Sequence, residues 1–240
     1  MDRNELDKAI GALVTQLDGE ADPGFSAVLY GSAARGDWIA GRSDVNLLLV
    51  VEDPSPVALR RLTPAVAAWH KRGLTPPLII GRTEWQRAAD VFPIEITDMR
   101  LSYKVLRGVD PVGAMVVEPG DLRRALETEL RGKLVRLRQA YVRFGEAAVT
   151  LGGFATSSVP ALLVVLRCTN VLLGRAAGVT PQETIAGLAA DLGPDADVIV
   201  EIAANRRDLE WQCPPATFAR YLEAVRRAVD LVDHIQRGDR

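Results

Sequence analysis

The chemistry in this chain is concentrated between Val28 and Val51, which reads V-L-Y-G-S-A-A-R-G-D-W-I-A-G-R-S-D-V-N-L-L-L-V-V. An apolar run ends in Gly31-Ser32, where the missing Cβ and a hydroxyl let backbone amides and a side-chain oxygen approach a phosphate. A polar loop follows, and Ser43-Asp44-Val45-Asn46 then opens a second apolar run. Successive side chains of a strand alternate faces, so Asp44 and Asn46 should point to one side and Ser43 adds a hydroxyl beside them. A carboxylate, an amide oxygen, hydroxyls and a glycine turn are groups suited to a phosphate and a hard cation.

Strands must position these groups, and the first half of the chain offers four candidates: Phe25 to Tyr30, Val45 to Val51, Pro77 to Ile80 and Phe92 to Ile96. Helical spacing runs between them, at Asn4 to Leu17 and Pro56 to His70. In the fourth candidate Glu95 stands between Ile94 and Ile96, so a strand would turn its carboxylate to the face opposite theirs. Asp98, three residues on, is a substitute.

From Pro119 the pattern is helical. Leu122, Leu126, Leu130, Leu134 and Leu137 place a long basic helix over Asp121 to Ala148. Ser157-Ser158 before Pro160 reads as a second helix start with a stop at Gly178, and Thr180-Pro181-Gln182-Glu183 reads as a capping box for a helix ended by Gly193-Pro194. Asp197 to Arg207 and Thr217 to Gln236 complete a five-helix bundle. The expected organisation is therefore an α+β domain over 1–118 followed by an all-α domain over 119–240.

The segment Val28 to Val51 resembles the signature of the polymerase beta-like nucleotidyltransferases, a Gly-Ser turn followed about ten residues later by a strand bearing Asp-x-Asp. The added helical domain makes it most similar to small bacterial members such as the aminoglycoside nucleotidyltransferases. The resemblance implies a mixed sheet flanked by helices. It also implies Mg²⁺-dependent transfer of a nucleoside monophosphate from a triphosphate, bound between the domains, to a hydroxyl of a small molecule or protein. In those terms Asp44 and Glu95 are the metal carboxylates and catalytic residues, and Gly31, Ser32, Arg35 and Ser43 hold the nucleotide phosphates. Asn46 replaces the second carboxylate of the signature. A neutral amide holds Mg²⁺ more weakly than an anion, so the alternative is a nucleotide- or partner-binding module without transfer, with a toxin–antitoxin component as one such setting.

Several further cations fit a triphosphate, namely Arg42, Arg100 and Lys104. Trp38 either stacks on a base or plugs its loop. Arg124, Arg131 and Arg138 share a helix face that is either a solvated surface or a seat for an anion. Arg227 and His234 have the R-x6-H spacing that resembles a ribonuclease motif of helical toxins, a weak signal in a terminal helix. His70 reads as a helix-end histidine.

Composition narrows the field. With 29 basic and 31 acidic residues, a net charge of -2 gives no broad positive surface for nucleic acid. Cys168 and Cys213 are isolated and the two histidines are scattered, which excludes a Cys/His zinc motif. The longest aliphatic run, Ala161 to Leu166, is far short of the roughly 20 residues of a membrane span. Met1-Asp2-Arg3-Asn4-Glu5 is charged at once and lacks a secretory pattern, so the expected setting is cytoplasmic, away from membrane.

Overall fold

A computed structural model describes residues 1–41 and 43–235. The chain divides into two compact units, Met1–Val117 and Glu118 onward. The first unit opens with α1 (Arg3–Glu20), started by a reciprocal cap in which Asp2 accepts from the Glu5 amide and Glu5 from the Asp2 amide. Then come β1 (Ser26–Tyr30), α2 (Ser32–Arg35), β2 (Asn46–Val51), α3 (Pro56–Arg61), α4 (Thr63–His70), β3 (Leu78–Gly81), α5 (Arg82–Gln86), α6 (Pro93–Leu101) and β4 (Tyr103–Arg107). The sheet has the order β3-β2-β1-β4, with β1 antiparallel to both neighbours and β2 parallel to β3.

Strand alternation gives this sheet two buried faces. Ala27, Leu29, Leu47, Leu49 and Val51 pack with Leu6, Leu13 and Leu17 of α1 and with Trp69 of α4. Val28, Leu48 and Val50 pack on the other face with Trp85 of α5 and with Ile96 and Met99 of α6. The second face carries Tyr30 and Asn46 at its end.

Two expectations for this unit are corrected. The segment Phe92 to Ile96 is the start of α6, not a strand. Pro93 supplies a fixed φ at the first helical position and has no N–H to lose there, while Glu95 in the first turn suits the positive end of the helix. The fourth strand is instead Tyr103–Arg107. The stretch Pro56 to His70 is two helices, because Pro64 cannot continue the ladder of α3 and restarts a helix at Thr63.

The second unit comprises α7 (Pro119–Phe144), α8 (Ala148–Leu172), α9 (Pro181–Ala186), α10 (Ala189–Leu192), α11 (Asp197–Ala204) and α12 (Pro215–His234), with 3₁₀ turns at Gly193–Asp195 and Asn205–Arg207. The leucine row of α7 is buried as its spacing demands. Thr180 and Glu183 form the expected capping box of α9. A single helix up to Gly193 does not form; Gly187, packed against the Asn170 side chain, separates α9 from α10. The expected end of the last helix at Gln236 lies outside the described residues.

Helix α8 departs most from the expected pattern, since it begins at Ala148 and passes through Pro160 to end at Leu172. Ser157 and Ser158 do not cap it; their hydroxyls donate back to the Phe154 and Ala155 carbonyls at 2.9 Å each. By length and composition it is apolar enough to cross a membrane, with a mean hydropathy of 1.8 over its best window. It is packed among α7, α9, α11 and α12, burying Leu151, Ala155, Val159, Leu162 and Leu166 as the central helix of this unit.

Candidate functional site

Gly31 caps α2 with φ 72°, a backbone conformation that glycine takes without strain. Space forces the same choice: a Cβ there would stand 2.9 Å from Nδ2 of Asn46. The Asn46 side chain therefore lies over the glycine turn. The Ala34 and Arg35 amides donate to the Gly31 carbonyl at 3.0 Å, whereas the Ser32 and Ala33 amides have no acceptor within the helix. Ser32 is half-buried, and its hydroxyl has no partner among the described residues.

Asn46 is paired across the ladder with Tyr30, which puts the two side chains on one face. The Tyr30 hydroxyl is pushed up to about 12, chiefly by burial and further by the carboxylates of Glu95 and Asp98. Helix α6 thus brings Glu95 and Asp98 to the end of the sheet where Asn46 and the glycine turn sit. Glu95 is exposed in the first turn. Asp98 is buried and lies 3.8 Å from Nη1 of Arg35, whose Nε is 3.3 Å from Asp37. Neither of those two Arg35 nitrogens has a hydrogen-bond partner, although its side chain is only 9% exposed. Arg35 is a buried cation between two carboxylates.

Asp44 is exposed just before β2, and its Oδ1 accepts from the Thr75 hydroxyl at 3.0 Å. Ser43 is occupied within its own loop: its hydroxyl accepts from the Ile39 amide at 3.1 Å, and its carbonyl accepts from the Trp38 indole at 2.8 Å. Trp38 packs against the α1 side of the core, which resolves it as the plug of the loop. Arg100 is also engaged, donating to the Met115 carbonyl at 2.8 Å, while Lys104 is exposed on β4. Arg42 lies outside the described residues.

The arginine row of α7 is partly neutralised, Arg124 by Asp121 and Arg131 by Glu127 and Asp233. Arg227 is held by Glu223 at 3.2 Å, and His234 Nδ1 meets the Asp230 carbonyl at 2.5 Å, so both members of the R-x6-H pair are engaged on α12. His70, at the end of α4, lines an apolar groove with Leu62, Val66 and Ile79.

The donor set is narrower than a two-metal centre needs. Among the described residues no three Asp, Glu, His or Cys side chains gather around one point. The Asp44–Asn46 pair offers one carboxylate and one amide, and Glu95 arrives on a helix rather than on a neighbouring strand. These residues do not fit two cations held by protein carboxylates. Tyr30, Asp37 and Thr75 join the site without a signal in the motif; a tyrosine closing an apolar run reads as core.

Neither a protein-family model nor a curated protein sequence matches the chain. Among solved structures it is similar to spectinomycin adenyltransferase AAD(9) from Enterococcus faecialis, crystallised with ATP and spectinomycin. The TM-score is 0.54 at 12% identity, over 94% of this chain and 98% of that one. The Gly31-Ser32 turn, the β2 entry beside it and the helical second unit accordingly belong to a chain whose fold is similar to that of this adenyltransferase.

Proposed function

We propose that the protein binds a nucleoside triphosphate at the Gly31-Ser32 turn and transfers the nucleoside monophosphate to a hydroxyl of a small molecule. The carrying observation is the turn itself: a half-buried, unpartnered Ser32 hydroxyl and first-turn amides beside Asn46, at the sheet end that also receives Glu95. The fold neighbour solved with ATP and spectinomycin supports this class of ligand and acceptor. Ser32 and the turn amides hold phosphate oxygens. Asp44 and Asn46 hold one Mg²⁺, which when bound draws charge from those oxygens. The acceptor oxygen forms a bond to the α-phosphorus, the bond to the β-phosphate bridge breaks, and pyrophosphate leaves. Glu95, an exposed carboxylate, takes the acceptor proton.

The test is pyrophosphate release from each of the four ribonucleoside triphosphates, with Mg²⁺, in the presence of a panel of aminoglycoside and aminocyclitol acceptors. Acceptor-dependent release that falls strongly in Glu95→Gln is the expected result. Nucleotide binding without release from any acceptor contradicts transfer. It would favour a second reading, a binding module, for which Asn46 in place of a carboxylate is the specific observation.

A further inference from the structure

We propose that the helical unit has a binding site of its own, for a small organic carboxylate with an apolar body about one ring in size. A recess of about 180 Å³ opens between α7, α8 and α12. Its apolar walls are Leu137 and Leu162, Val225 and the Phe154 ring. Phe154 is braced by Phe144 and Phe218, with ring centroids 6.2 and 6.3 Å away, so its face is a fixed platform rather than a loose side chain. An apolar cavity of about 150 Å³ holds a benzene-sized guest, so this volume suits one aromatic ring or branched chain.

Two cations on successive turns of α7 line the same recess. Lys133 is largely covered, and its one ion-pair partner among the described residues is Glu129, at 3.5 Å. Arg136 has no ion-pair partner among the described residues. An unpaired guanidinium beside an apolar recess matches the two-oxygen fork of a carboxylate, with the ligand body buried below it. The pocket hydroxyls are satisfied internally, Ser157 to the Phe154 carbonyl, Ser158 to the Ala155 carbonyl, and Tyr221 with Ser158 at 3.0 Å. They leave the anion to the cations and favour an apolar guest over a polyol. This site stands apart from the nucleotide reading and does not depend on it.

The experiment is calorimetric titration of the full chain with benzoate, benzyl alcohol and benzylamine, alongside Arg136→Gln, Lys133→Gln and Ala161→Leu. Ala161 lines the recess yet is exposed on α8, so the larger side chain obstructs the mouth without disturbing the core. Expected are saturable benzoate binding, at least about tenfold weaker binding of the neutral and cationic analogues, and a loss of about tenfold or more for benzoate in Arg136→Gln. Benzyl alcohol binding should be unchanged in Arg136→Gln, and Ala161→Leu should weaken both ligands. The proposal is overturned by the absence of saturable benzoate binding up to about 10 mM. Equal affinity for benzoate and benzyl alcohol, indifference of benzoate to both cation variants, or indifference to Ala161→Leu would overturn it equally.

Discussion

Gly31 and Asn46 hold each other in place at the centre of the site. Gly31→Ala places a β-carbon 2.9 Å from the Asn46 amide on a backbone at φ 72°, and each effect costs about 1 kcal/mol or more. Chemical denaturation should show Gly31→Ala destabilised by about 2–3 kcal/mol, with Asn46→Ala in the same chain recovering the contact but not the backbone cost. Asn46→Asp is expected to strengthen Mg²⁺-dependent nucleotide binding, measured by titration at saturating Mg²⁺, because an anion then faces the cation; unchanged affinity would remove Asn46 from the metal role. Tyr30 supplies a pH signature. Its folded pKa of about 12 exceeds the unfolded value near 10, so its contribution is complete below pH 10 and is lost as pH rises toward 12. Tyr30→Phe should abolish that alkaline loss of about 2–3 kcal/mol in pH-dependent unfolding. At this scale the glycine turn and the strand entry at Asn46 were legible because turn, loop and strand lie in one contiguous segment. The position of Tyr30 beside Glu95 and Asp98 was not, since it depends on how a distant helix packs on the sheet.

Elements were legible where periodicity was long and uninterrupted, as in α1 and α7, and illegible where local signals compete. Phe92-Pro93-Ile94-Glu95-Ile96 alternates like a strand, yet the proline is an even better helix opener, and Ile96 and Met99 reach the sheet face only if a helix forms. Ser157, Ser158 and Pro160 read as a helix start, but inside a long packed helix the hydroxyls bond to the preceding turn and burial outweighs the proline. Two adjacent glycines of α8 make the packing testable. A Cβ at Gly152 would fall 2.0 Å from the Trp211 carbonyl oxygen, while Gly153 has open space around it. Thermal unfolding should show Gly152→Ala destabilised by about 3 kcal/mol or more, and Gly153→Ala stabilised by about 0.5–1 kcal/mol. Equal effects would mean that the 211–213 segment does not pack on α8 at this point.

At the scale of the molecule, a chain with 12% identity to an adenyltransferase solved with ATP and spectinomycin shares its fold despite change at most positions. Fold tolerates such change because the two buried faces of the sheet depend on apolar alternation and not on the site. Acceptor chemistry was illegible in the sequence for a related reason, since the helices of the second unit present cations and apolar surface in rows that any bundle surface shares. The most direct measurement is calorimetric titration of the full chain with ATP, GTP, CTP and UTP and with their nucleosides, in Mg²⁺, repeated on Ser32→Ala. Saturable triphosphate binding that weakens roughly ten- to a hundredfold in Ser32→Ala, with nucleoside binding unchanged, is the predicted result. No triphosphate binding, or an equal loss for triphosphate and nucleoside, would contradict a phosphate site at the Gly31-Ser32 turn.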